Sequence, residues 1–230
     1  MGNGLSLRAH INLEMRCAQA SVSEELASTV TSGAGFVLAV AGAVFLLTAA
    51  SQLGTVWHIV GCGVYAGTLV FLYAASTLYH SRYFPNSKSA CRTLDHAGIF
   101  LLIAGTYTPF MLVNLRGAWG WSLLGVVWGL ATLGIVFQAW LRERPAARVS
   151  LYVGMGWGAL VAVKPLYAAI APGGLVLLLV GSLAYSFGIG FFAWHRLPYH
   201  HAIWHLFVLA GSLAHFCAVL LYTLPAAASH

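Results

Sequence analysis

Charge is scarce in this sequence: only 7% of the 230 residues are charged, and only 5 are acidic. Combined with 60% hydrophobic residues and a mean hydropathy of +0.83, this excludes an ordinary soluble domain. Cysteine is also sparse. Cys17, Cys62, Cys91 and Cys217 lie far apart with no C-x-x-C pair, which excludes a thiolate metal motif and argues against a disulfide framework. No basic stretch with interleaved aromatics is present, so the net charge of +6 is not a nucleic-acid footprint. There is no internal repeat, and the paired Gly/Pro-broken spans that mark many transporters are missing.

Long apolar runs are present instead. Seven segments, at about 29–50, 57–79, 96–114, 119–140, 149–170, 174–194 and 202–224, each approach the length needed to cross the hydrocarbon core. The expected architecture is an all-α integral membrane protein, a seven-transmembrane helix bundle. Residues 1–28 read as a polar cytoplasmic tail with an interfacial helix, 29–224 as the transmembrane domain, and 225–230 as a C-terminal tail. The first run starts too late and is too long for a cleaved signal peptide. Met1, Gly2 and Ser6 fit an N-myristoylation pattern too short to carry weight.

Positive charge sets the expected orientation. Arg8, Arg16, Arg82, Lys88, Arg92, Arg142, Arg144, Arg148 and Arg196 fall in the tail and in the loops after spans 2, 4 and 6, whereas only Arg116 falls on the other face. The N-terminus is therefore expected in the cytoplasm and the C-terminus outside. Pro109 and Pro165 are expected to kink their spans. Small residues such as Gly154, Gly156, Gly158, Gly181, Ser182 and Gly188 read as helix-packing positions.

That topology puts most of the intramembrane ionisable residues in one layer. His201 and His205 are four residues apart at the start of span 7, so they share a helix face. Ser76 and His80 end span 2 at the same cytoplasmic-side level, and Asp95 begins span 3 there. Three neutral imidazoles with an open fourth position for water is the arrangement of a catalytic zinc centre. Zinc in such a site activates water at neutral pH, and an adjacent carboxylate holds that water or takes its proton. The reading is Zn2+ held by His80, His201 and His205, with Asp95 as water-holding base and Ser76 as an orienting hydroxyl. Taken singly, each of these residues has a plainer explanation: headgroup contact for a histidine, a helix cap for Asp95, a back-bond to a carbonyl for Ser76. The coincidence of depth favours a site.

Other polar residues read as structural. His215 lies about 15 Å deeper than His205 and is expected to be a buried hydrogen-bonding residue. His96 points away from Asp95 around the helix and reads as a boundary residue. His195 and His200 are placed in a solvated loop, with either able to replace His201 as a ligand if span 7 starts elsewhere; Lys164 reads as snorkelling, and Tyr107, Thr108 and Gln138 as interhelical hydrogen-bonders.

At the segments Ser76-Thr-Leu-Tyr-His80, Asp95-His-Ala-Gly-Ile99, Gly105-Thr-Tyr-Thr-Pro109 and His201-Ala-Ile-Trp-His205, the sequence resembles the hemolysin III family and, through it, the progestin and adipoQ receptors and alkaline ceramidases. The resemblance runs from Glu24-Glu25 to about Tyr222. It implies a bacterial inner-membrane bundle with an intramembrane zinc on the same three histidines, beside Asp95 and Ser76. Family members often carry Asn and His on the first span where this chain has Ser28 and Ser32. Three functions follow as expectations. The first is a zinc-dependent hydrolase of a lipid amide or ester, with membrane lipid as substrate. The second is a receptor-like or membrane-homeostasis protein with a structural or sensing zinc. The third is a pore-forming hemolysin, which the scarcity of pore-lining charge disfavours.

Overall fold

A computed structural model describes residues 3–81 and 88–224, with side chains from residue 22 onward. The myristoylation pattern, the side chains of Arg8, Arg16 and Cys17, the loop residue Arg82 and the tail 225–230 lie outside those limits. Among the described residues there is no strand, and seven helices are long and apolar enough to cross a membrane.

The first span is the carboxyl part, Val22–Leu53, of one long helix α1, Asn3–Leu53. It therefore takes in Glu24, Glu25 and Ser28, starting seven residues earlier than hydropathy alone placed it. Helix α2 covers Val56–His80 and α3 covers Lys88–Pro109. Proline lacks the N–H that would continue the ladder. After Pro109 the chain accordingly takes a wider π turn over Phe110–Asn114. Gly117, with φ of 153°, reverses the chain into α4, Ala118–Val136. A short α5, Gln138–Arg142, leads to α6, Pro145–Trp157. A 3-10 turn over Gly158–Ala162 joins α6 to α7, Val163–Ala169, which contains Pro165. The last two spans are α8, Pro172–Ala193, and α9, His200–Tyr222.

Sequential helices pack as antiparallel neighbours, most extensively α1 on α2, α2 on α3 and α8 on α9, and α9 returns to α1 to close the bundle. The most buried spans are α2, α3 and α9. These are the helices that carry the predicted site, so its side chains sit inside the bundle. Close approach is enforced by glycine at particular points. A Cβ on Gly105 would strike the Thr68 side chain across the α2/α3 contact, and one on Gly181 would strike the His215 ring across α8/α9. Gly188 is similarly pressed by Trp204 and Phe207. Gly154 and Gly156, expected to be packing positions, instead face open space. Gly156 and Ser182 line a cavity of about 140 Å³ between α3, α6, α8 and α9, where small side chains leave room.

Arg148 corrects the charge count. Placed in a loop by sequence, it lies in the first turns of α6 and is only 4% exposed. Cys62, Cys91 and Cys217 are free thiols. Tyr107 donates to the Met155 carbonyl at 2.7 Å, Trp128 donates to Thr108 at 3.1 Å, and Gln138 donates to the Thr93 carbonyl at 3.0 Å, all between helices.

Candidate metal centre

Three imidazoles from two helices meet at one end of the bundle. His80 closes α2, and His201 and His205 occupy the first turns of α9. Their ring centroids lie 4.6 Å (His80 to His201), 5.0 Å (His80 to His205) and 4.9 Å (His201 to His205) apart, with planes inclined at 61°, 71° and 84°. One nitrogen from each ring lies within 4.8 Å of the other two, so the group can hold a metal ion.

Hydrogen bonds on the outer nitrogens orient two of these rings. His80 Nδ1 lies 2.9 Å from the Glu25 carboxylate, to which it donates. His205 Nδ1 lies 3.2 Å from the Ser28 carbonyl and 3.1 Å from the Thr31 hydroxyl. A ring that donates through Nδ1 presents an unprotonated Nε2, and this is how metal-ligating histidines are usually held. His80 Nε2 stands 3.1 Å from His201 Nε2. Two nitrogens on one tetrahedral zinc, each about 2.0–2.1 Å from it, stand about 3.3 Å apart. The His80–His201 spacing is therefore compatible with a shared metal ion of that size.

Asp95 and Ser76 join the same layer. Asp95 is buried with the Ser76 hydroxyl near its carboxyl group, and Ser76 Oγ is 3.5 Å from His205 Nε2. The five residues singled out from sequence are thus brought together. Asp95 and His201 also line the cavity, as do His96, Arg148 and Tyr152. His96, read as a boundary residue, is half-buried and forms part of the cavity wall. Its Nδ1 is 3.4 Å from Arg148 Nη1, and its carbonyl accepts a 3.0 Å bond from Tyr152. His215 is buried deeper in the same cavity and bonds through Nε2 to the Leu178 carbonyl at 3.1 Å, as a structural hydrogen-bonder should.

Glu25, the Ser28 carbonyl and Thr31 were missed from sequence. Glu25 also accepts from Lys88 at 2.9 Å. One signal was available: in a chain with five acids, two of them adjoin at the threshold of the first span. Nothing in the sequence announces a backbone carbonyl partner.

A family model described as Haemolysin-III related matches residues 20–216. Hemolysin-3 of Bacillus cereus is 46% identical over 207 residues, covering 90% of this chain and 94% of that protein. The Hemolysin-3 homolog of Bacillus subtilis (strain 168) is 43% identical over 203 residues, covering 88% and 95%. The human Monocyte to macrophage differentiation factor is 27% identical over 175 residues, covering 72% and 71%. No solved structure matches significantly. A family match over most of its length, with bacterial relatives above 40% identity, makes this integral membrane chain a member of the haemolysin-III-related family.

Proposed function

We propose that the chain is a zinc-dependent hydrolase of a lipid amide or ester, with its site in the cytoplasmic leaflet of a bacterial inner membrane. The observation that carries this reading is that the three-histidine group opens through His201, next to the buried Asp95 carboxylate, onto one largely apolar cavity between helices. A purely structural metal site would be closed and would have no use for a cavity at its side.

His80, His201 and His205 would hold the ion through their inner nitrogens. Bound there, zinc supplies Lewis acidity toward a carbonyl oxygen and an activated water. Asp95 holds a water by hydrogen bonding and takes its proton, and it returns that proton to the leaving nitrogen or oxygen. The Ser76 hydroxyl, 3.5 Å from His205 Nε2, has one proton to give, and it serves either to orient the Asp95 carboxylate or to donate toward oxygen charge as it develops. Arg148 and His96 give the cavity wall beside Asp95 a polar patch, while Leu102, Ile103 and Val208 offer apolar surface to an acyl chain.

A second reading has its own support. The histidines and their orienting partners tie α1, α2 and α9 together, which is what a structural or sensing zinc in a receptor-like protein would do. A lytic pore, suggested by the name of the Bacillus cereus relative, lacks comparable support because the cavity wall is mostly apolar and does not line an aqueous channel.

One experiment separates these readings. Purified protein is incubated with a lipid panel and released fatty acid is measured by mass spectrometry, alongside thermal unfolding. For the hydrolase, release stops on chelation and returns with zinc, and Asp95→Ala lowers the rate at least about 100-fold with little change in melting temperature. A fall in melting temperature on chelation, with no release from any lipid, selects the structural reading. Activity that persists without zinc sinks the hydrolase proposal.

A further inference from the structure

The metal centre is buried, yet a line of imidazoles leads to it from the surface. His195, in the loop between α8 and α9, is exposed, while His200 and His201 are half-buried and His205 and His80 are buried. The His195 and His200 ring centroids are 5.2 Å apart with planes at 88°. That is close to the arrangement within the metal group, where separations run from 4.6 to 5.0 Å. The next step, His200 to His201, is 6.1 Å.

The loop that presents this pair is held in place. Leu197 and His200 donate to the carbonyls of Trp194 and Leu197 in successive tight turns. Tyr199, immediately before His200, adopts a left-handed conformation with φ of 58°, an unfavourable state for a bulky non-glycine residue. It is kept there by α1: Glu24 accepts the Tyr199 backbone N–H at 3.1 Å, and the Tyr199 hydroxyl donates to Ser23 at 3.2 Å. Such local strain persists only where the surroundings impose it, and it concentrates at working sites. His200 Nδ1 is shielded from solvent and has no hydrogen-bond partner, which leaves a nitrogen free for a cation.

From this we infer that His195 and His200 form a second, weaker metal site at the membrane surface, which takes up a divalent zinc-class cation and passes it to His201 and so to the buried centre. A metal bound to a preformed buried site needs an entry path. The transfer is ligand exchange only: water is displaced by one ring, and that ring is then displaced by the next. The role in loading rests on the reading of His80, His201 and His205 as a metal centre, but the surface site itself does not.

The test uses the full, untagged chain in detergent. In the variant His80→Ala/His205→Ala, titration with Zn2+ against a chromophoric indicator is expected to show one equivalent of weak binding that disappears on adding His195→Ala/His200→Ala. In the otherwise unchanged chain, stripped with chelator and reloaded, His195→Ala/His200→Ala is expected to slow zinc uptake at the tight site at least tenfold, with the same final occupancy and affinity of that site. Weak binding that survives loss of His195 and His200, or none in a folded chain lacking the buried histidines, overturns the surface site. If that variant does not fold, the uptake rate decides alone, and an unchanged rate overturns the relay. Failure of the buried centre itself is distinguishable, because wild-type protein would then hold only the weak equivalent.

Discussion

Glu25 is the residue whose role depends most on distance. Its carboxylate accepts from His80 Nδ1 on one side and from Lys88 on the other, each at 2.9 Å, and it stands a third exposed at the rim of the bundle. Outer partners of this kind typically contribute 10–100-fold to metal affinity by fixing ring tautomer and direction. Glu25→Ala is therefore expected to weaken zinc binding by about 10–100-fold, with Glu25→Gln recovering part of the loss, since its amide oxygen still accepts. Competition against a calibrated chelator measures this, and an unchanged affinity would show that His80 is held without Glu25. The five residues of the site were legible because each combines an ionisable or hydroxyl group with a calculable depth. Glu25 was hidden by the placement of the first span, since hydropathy begins at the apolar run while the helix extends further toward the polar end.

Among the helices, α8 and α9 show how glycine creates a polar contact inside a membrane. The His215 ring lies against Gly181 and reaches the Leu178 carbonyl because no side chain intervenes. Gly211 lets Tyr185 approach in the same contact, and the Tyr185 hydroxyl meets Ser212 at 2.9 Å. Overpacking such an interface costs about 1–3 kcal/mol, and His215 would lose its partner as well. Gly181→Leu is expected to lower the melting temperature by several degrees while leaving zinc affinity within about twofold, because the metal nitrogens lie turns away along α9. A large loss of affinity would mean that the α8/α9 contact sets the angle of His201 and His205. The positions of the spans were readable from hydrophobic length. Which glycines serve packing was not, because Gly154 and Gly181 look alike in sequence and only the partner helix distinguishes open space from contact.

For the whole molecule, the distribution of charge has to be recounted with Arg148 inside the bundle. A residue facing the cavity beside Asp95 says nothing about loops, so it leaves the tally of cytoplasmic charges. The remaining described residues still divide sharply. Lys88, Arg92, Arg142, Arg144 and Arg196 lie at the end of the bundle that carries the metal centre, and Arg116 lies at the opposite end, stacked 5.3 Å from the Trp57 ring. The bias survives the correction because it rests on every loop at the site end. An even number of crossings separates those loops, so one assignment orients them all. The metal centre and the amino end of the first span are accordingly expected to face the cytoplasm. A C-terminal reporter active only outside the inner membrane should then signal, and the same reporter inserted after Arg144 should not. The reverse pattern would put the histidine relay and the cavity mouth outside the cell, where the source of both metal and lipid would be different.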